Sequence, residues 1–216
     1  MKCDMKGIEP ARKLAAEVAA VVLAAGNSSR MAPHNKLLRE VGGVPLVRHV
    51  VQTALKVVRD VHVVVGPDSH AVRAVLADLP VLLVENAEAA EGMASSIRAG
   101  VATLSRSHRG ALIVLGDMPR VTTLHLRRLI EAFITSDYRS TVVPNFGGQR
   151  GNPVLWSAAY FDELRTLTGD VGARALLVRD AAALITVEMP DDGVLIDIDT
   201  SEDWEREKNR GLPSCR

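Results

Sequence analysis

Short apolar runs alternate with segments of helical spacing along almost the whole chain, and this alternation constrains the fold more than any single residue does. Val18 to Leu23, Val61 to Val65, Val81 to Val84 and Ala111 to Leu115 read as strands. Continuous short runs rich in Val, Leu and Ile suit strands covered on both faces. Between them, Leu46, Val47, Val50, Val51, Ala54, Leu55 and Val58 fall on one face of a helix opened by Pro45. Asp68 is placed to cap a helix carrying Val72, Val75 and Leu76, and Thr122 to cap a later one. Gly92 to Leu104 reads as a helix between them. Thr141 to Pro144 and Pro153 to Trp156 are predicted as strands joined by the Gly-rich segment Gly147 to Gly151. Ser157 and Asp170 are expected to cap two helices, Val194 to Ile198 to form a late strand, and Thr200-Ser201-Glu202-Asp203 to open a terminal helix as a capping box. Strands that alternate with helices need right-handed crossovers. The expected fold is therefore α/β, a three-layer, doubly wound, mainly parallel sheet. Ligands of such sheets bind outside the carboxyl ends of the strands. The loop at Gly26, the Glu85-Asn86 region and Asp117 should then share one edge.

The 216 residues suffice for one α/β domain with a substantial core. The expected organisation is an N-terminal extension over 1–15, a single domain over 16–210 and a tail over 211–216. Hydrophobic residues make up 47% but aromatics only 3%, so the core must be built from Ala, Val, Leu and Ile. A formal net charge of zero gives no bulk attraction to nucleic acid or to a membrane surface, and neither is an expected partner. Cys3 and Cys215 stand at opposite ends, in no metal-ligand or disulfide pattern, which fits a reducing, cytoplasmic setting. Leu14 to Gly26 is apolar, but Glu17 interrupts it and it runs straight into a loop, so it reads as a first strand rather than a signal peptide. No run approaches the roughly 20 apolar residues that span a bilayer.

That first strand empties into Leu23-Ala24-Ala25-Gly26-Asn27-Ser28-Ser29-Arg30-Met31, with Lys36 shortly after. Small side chains let a ligand press against backbone N–H groups, which favour anions, and Arg30 and Lys36 add charge. The pattern is neither G-x-x-x-x-G-K-[ST] nor G-x-G-x-x-G. The same residues also suit an ordinary strand-to-helix turn with a surface Arg. Gly116-Asp117-Met118-Pro119 ends a strongly apolar run, where a carboxylate can hold Mg²⁺ or simply bond its own turn. Asp197 and Asp199 alternate about Ile198, so on a strand both would share one face. Either could be a second metal ligand, and Asp199 could instead cap the terminal helix. Glu91-Gly92-Met93-Ala94-Ser95-Ser96 opens a helix, whose N–H groups with Ser95 or Ser96 could face a ligand or merely pack closely. Met93 and Met118 read as packing residues. The six histidines show no ligand spacing, and His49, His70 and His125 read as surface residues.

Together these segments resemble the MobA-like nucleotidyltransferases. L-A-A-G-x-S-x-R-M with a following Lys, E-G-x-x-S-S-x-R-x-G over Glu91 to Gly100, G-D-M-P at Gly116, R-G-N-P-V-L from Arg150 and G-D-x-G-A-R from Gly169 to Arg174 occur in the family's order. The tail Asp199-Thr200-Ser201-Glu202-Asp203 is similar to its D-T-P-E-D. The resemblance implies the Rossmann-like fold of nucleotide-diphospho-sugar transferases. It implies an enzyme that couples a nucleoside triphosphate to a phosphorylated acceptor and releases pyrophosphate.

The implied nucleotide site is Leu23, Ala24, Ala25, Gly26, Asn27, Ser28, Ser29, Arg30 and Lys36 with Gly92, Ser95 and Ser96. Arg30, Lys36 and Asp117 would carry catalysis, and Asp117 and Asp199 would hold Mg²⁺. Arg150, Asn152 and Arg174 would meet the acceptor. Ala25, where guanylyl-transferring members tend to have Gly, and R-G-N-P resemble the molybdenum cofactor cytidylyltransferase branch. That branch implies CTP, a molybdopterin-type acceptor and delivery to a molybdenum hydroxylase apo-enzyme. Ala32 in place of Gly, and Pro33-His34-Asn35 before Lys36, depart from the family pattern. Alternatives are a guanylyltransferase, a cytidylyltransferase of a sugar or isoprenoid phosphate, and a non-catalytic maturation protein that carries the cofactor.

Overall fold

A computed structural model of the protein describes residues 15–26, 35–169 and 173–210. At its centre lies β1 (Val18–Ala24), whose side chains alternate between two cores. Val18, Ala20 and Val22 enter one apolar cluster, and Ala19 and Val21 the other. Such two-sided burial is what a run without polar alternation requires. β1 pairs in parallel with β4 (Asp60–Val65) and with β6 (Gly110–Leu115). β5 (Leu82–Glu85) extends the sheet beyond β4, again parallel.

On the other side, β9 (Val154–Ser157) runs antiparallel between β6 and β7 (Val142–Phe146), and β10 (Ile185–Glu188) closes that edge parallel to β7. The sheet order is β10-β7-β9-β6-β1-β4-β5, with β8 (Gln149–Arg150) turning back on β7. A two-stranded ribbon of β2 (Glu40–Val41) and β3 (Val44–Pro45) stands apart.

Helices cover both faces. α1 (Leu46–Leu55), α2 (His70–Leu76) and α4 (Thr123–Thr135) bury Val47, Val50, Leu76, Leu129 and Phe133 in the first cluster. α3 (Met93–Ala102) and α5 (Phe161–Arg165) bury Ile97, Val101, Phe161 and Leu164 in the second, where α6 (Arg174–Arg179) also packs. The fold is thus a three-layer α/β arrangement around a mainly parallel sheet, as expected. α1 begins at Pro45, whose fixed φ of −58° presets the first turn. α4 begins at Thr122 in a capping box, with His125 in the role usually taken by Glu or Gln.

Several expectations change. Ser69, not Asp68, stands at the N-cap of α2, and its hydroxyl donates back to Gly66 O at 2.6 Å. His125 is fully buried rather than on the surface, because its Nδ1 accepts the Thr122 N–H within the capping box. His49 is half-buried and His70 exposed. The late strand over Val194 to Ile198 is absent. Asp192–Val194 instead form a 3-10 turn capped by Asp191, and 195–199 run on as an irregular strap. Gly193 drives this turn, since a Cβ there would lie 2.5 Å from Arg120 O. The edge strand is Ile185–Glu188, which has only two half-buried apolar residues and so little pattern to reveal it. Asn27 to Met31, the lead-in before Ala15, Asp170 and the tail lie outside the described residues.

Three contacts fix the strap. Val194 O accepts from Asn152 N at 2.8 Å, and Ile198 N donates to Asp117 O at 3.1 Å. Ile198 itself is buried with Val41, Leu46 and Trp204, the last from α7 (Ser201–Arg210). α7 opens with the expected box, in which Asp203 N donates to Thr200 Oγ1 and Asp203 Oδ2 accepts from Thr200 N.

Candidate active site

The parallel strands β1, β4, β5 and β6 end on one edge, at Ala24, Val65, Glu85 and Leu115. A cavity of about 350 Å³ opens there, lined by Leu23, Gly26, Lys36, Leu37, Ala89, Gly92, Met93, Ser96, Leu115, Asp117, Asp197 and Asp199. Segments far apart in sequence meet in it because each follows a strand or, for the two last aspartates, rides on the strap.

Asp117 stands directly after Gly116. A Cβ on Gly116 would approach Leu23 O to 2.8 Å, so only glycine lets β6 end flush against β1. Lys36 enters from a 3-10 turn, Lys36–Leu38, capped by the Asn35 side chain. Its Nζ lies 2.6 Å from Asp117 Oδ2 and 2.5 Å from Asp199 Oδ1. Burial, the largest single influence on this amine, favours its neutral form. The charge of Asp117 and hydrogen bonds to Asp117 and Asp199 outweigh burial and hold the pKa above the ordinary lysine value. Asp197 is pushed up from the ordinary carboxylate range, first by desolvation, then by the charges of Asp199 and Asp117.

Asp117 Oδ1 is buried with no hydrogen-bond partner among the described residues. A buried, unsatisfied carboxylate oxygen is costly unless something positive meets it. Among the described residues no group of three or more His, Cys, Asp or Glu could hold a metal. Mg²⁺ does not need one, since it is commonly held by one or two carboxylates together with substrate phosphates. The free oxygen of Asp117 and the neighbouring Asp199 fit that donor set.

The opposite wall is built on α3. Gly92 takes φ +99°, a region that favours glycine, and starts the helix without a side-chain cap. Ser95 is spent on the scaffold. Its hydroxyl faces Glu88 O at 2.8 Å and Gly92 O at 2.9 Å, and accepts from Asn86 Nδ2 at 2.8 Å. Ser96 lines the cavity, and its Oγ also accepts from Asn86 Nδ2, at 3.1 Å. Arg98 ties this wall down through Glu88, Glu91 and Leu167 O.

Of the residues singled out in the sequence, the structure brings Leu23, Gly26, Lys36, Gly92, Ser96, Asp117 and Asp199 together. Ala24 and Ala25 are buried, one in each apolar cluster, and do not line the cavity. Asn27, Ser28, Ser29 and Arg30 lie outside the described residues. Arg150, Asn152 and Arg174 do not line this cavity. Arg150 and Arg174 are exposed, and Asn152 uses its backbone N–H to hold the strap. Gly151 permits that contact, because a Cβ there would meet Val194 O at 2.2 Å. Met93 does not pack inside as expected but is 47% exposed at the cavity, while Met118 is buried. Leu37 and Ala89 drew no assigned role from the sequence, and Asn86 was expected only as part of the Glu85-Asn86 region on this edge, by its position after a parallel strand.

A charged end of carboxylates and a lysine faces an uncharged wall at the carboxyl edge of the parallel sheet, an arrangement that suits a nucleotidyl-transferring enzyme. More specifically, the chain belongs to the MobA-like NTP transferase domain family, whose model matches residues 20–184. It is 38% identical over 117 residues to the bifunctional protein GlmU of Halorhodospira halophila, an alignment covering 53% of this chain and 24% of that protein. It is 32% identical over 124 residues to the purine catabolism protein PucB of Bacillus subtilis, covering 55% and 57%. The chain thus spans about a quarter of GlmU and just over half of PucB. Rv0371c of Mycobacterium tuberculosis H37Rv has a similar structure, with 27% identity, a TM-score of 0.75 and coverage of 88% and 97%. A manganese complex of Rv0371c matches at 25% identity and a TM-score of 0.70, with the same coverage. No described helix is long and apolar enough to cross a membrane.

Proposed function

We propose that the protein transfers CMP from CTP to molybdenum-molybdopterin, giving the cytosine dinucleotide and pyrophosphate. The observation that carries the reading is the charged cluster: Lys36 Nζ between Asp117 and Asp199, with Asp117 Oδ1 left without a partner among the described residues. The choice of CTP and of the acceptor is supported by Ala25 and by the R-G-N-P run at Arg150.

The terminal phosphate oxygen of the acceptor attacks the α-phosphorus in line. One P–O bond forms, the bond to the β-phosphate oxygen breaks, and the electron pair leaves with pyrophosphate. An anionic phosphate oxygen needs no protein base, which accords with a site built from charges rather than from a nucleophile and a histidine. Catalysis then rests on positioning and charge stabilisation. Lys36 stabilises charge developing on the departing pyrophosphate, aided by Arg30. Asp117 and Asp199 would hold Mg²⁺, which when bound would neutralise phosphate charge.

A thermal-shift panel with Mg²⁺ and CTP, GTP, ATP or UTP tests the reading. A ligand at a hundred times its dissociation constant stabilises by about 2.7 kcal/mol. Selective stabilisation by CTP is expected, followed by pyrophosphate release when molybdenum-molybdopterin is added. Selective stabilisation by GTP would replace the cytidylyl reading with a guanylyl one. Binding without pyrophosphate release would point to a carrier.

A further inference from the structure

Two adjacent serines on α3 share one donor, and they differ in what is left over. Asn86 is 4% exposed, and its amide orientation is fixed by its neighbours. Glu88 N can only donate, and it faces Asn86 at 3.0 Å, so that atom is Oδ1. Nδ2 therefore points at both serine oxygens, 2.8 Å from Ser95 Oγ and 3.1 Å from Ser96 Oγ. A serine hydroxyl has one hydrogen to give and two lone pairs to accept with. Ser95 gives its hydrogen to Glu88 O and Gly92 O. Ser96, only 6% exposed, accepts from Asn86 and meets no acceptor for its own hydrogen among the described residues. It lines the cavity beside Ala89, Gly92 and Met93, none of them charged, while the charges gather on Lys36, Asp117, Asp197 and Asp199. The triphosphate belongs with the charges, which leaves the nucleoside for the uncharged wall.

We infer that Asn86 is a positioning residue: by donating to one lone pair of Ser96 Oγ, it orients the Ser96 hydroxyl so that its hydrogen is left to donate to an acceptor atom of the bound nucleoside. The inference rests on the cavity being the nucleotide site, and not on which base or acceptor the enzyme uses. Asn86→Asp is the discriminating variant. Its carboxylate still accepts from Glu88 N, but now also accepts from the serines and draws the Ser96 hydrogen onto itself.

The test is titration calorimetry of the Mg²⁺ complexes of CTP and GTP with the full chain, for the unmodified protein, Ser96→Ala, Asn86→Asp and the double variant. Each single change is expected to weaken binding of whichever nucleotide the unmodified protein binds by about three- to tenfold, the worth of one net hydrogen bond. The double variant should match Ser96→Ala alone, because the two act through one hydroxyl. If Asn86→Asp does not give a cooperative melt, Asn86→Ser replaces it: a polar group stays near Glu88 N and the amide donors are gone. Unchanged affinity in Ser96→Ala overturns the inference, as does an Asn86 effect that persists in full in the Ser96→Ala background. Preference for GTP with the same non-additivity would overturn the cytidylyl reading and leave the inference standing. Binding of neither nucleotide by the unmodified protein would overturn both.

Discussion

Replacing Lys36 by Met removes one positive charge and keeps an unbranched apolar stem of similar length. Two effects follow, and they differ in size. The ammonium is held between Asp117 and Asp199, with side-chain exposures of 16% for Lys36, 17% for Asp117 and 44% for Asp199. Breaking a fully buried pair costs about 3–5 kcal/mol, and an exposed pair contributes about 0–1. This cluster lies between those limits, and solvent at Asp199 discounts it further, so a stability loss of about 1–2 kcal/mol is expected in urea unfolding. Turnover should fall much more. Losing one preorganised cationic contact to a developing phosphate charge raises the barrier by about 3–4 kcal/mol, or roughly a hundredfold to a thousandfold. The assay is initial pyrophosphate release with saturating CTP and acceptor, on protein shown by its melt to be folded. A folded Lys36→Met protein with turnover within threefold of the unmodified enzyme would remove Lys36 from the mechanism.

Gly151→Ala should place a Cβ against Val194 O and displace the strap, so pyrophosphate release is expected to fall at least tenfold while overpacking costs about 1–3 kcal/mol in urea unfolding. Full activity in a folded variant would show that the strap does not need this approach. Asp197 is held above its ordinary pKa, so the folded state keeps its proton longer than the unfolded chain does. That contribution is full below the unfolded value of 3.8 and is lost as pH rises through the folded pKa. Asp197→Asn should therefore match the parent in urea midpoint near pH 3.5 or so and exceed it at about pH 7. An equal midpoint at both would refute the raised pKa.

The parallel half of the sheet was legible because its strands are continuous apolar runs and its helices carry clear one-sided spacing. Leu46 to Ala54 and Ala111 to Leu115 are examples, and Thr122 marked its helix by chemistry alone. The far edge was not legible in the same way. Ile185 and Val187 are only half-buried, and they alternate with exposed residues over four positions, too short a pattern to stand out. Val194 to Ile198 misled because its apolar residues are buried by tertiary contacts rather than by strand pairing. Ile198 packs on Leu46 and Trp204, and Val194 O is met by a loop amide. The site residues on strand ends could be placed from sequence, since the carboxyl edge of a parallel sheet follows from topology. The Glu85-Asn86 region was placed there too, but the role of Asn86 was not legible, because it depends on three hydrogen bonds made to residues two to ten positions away.

The strap also changes how Asp199 reaches Asp117. On a paired strand, Asp197 and Asp199 would have been fixed by a ladder of backbone hydrogen bonds. Here the position of Asp199 depends on Asn152 N holding Val194 O, on Ile198 N meeting Asp117 O, and on the burial of Ile198 beside Trp204. The hydrogen bond from Ile198 to Asp117 O ties the two candidate metal ligands together through backbone, at Asp117 itself and one residue before Asp199. Asp117 is in turn set by Gly116 against Leu23 O, near the end of β1. The end of β1, the first carboxylate and the second carboxylate therefore form one mechanical chain. Within it, Gly151 and Asn152 act by holding the strap at Val194 O rather than by lining the cavity.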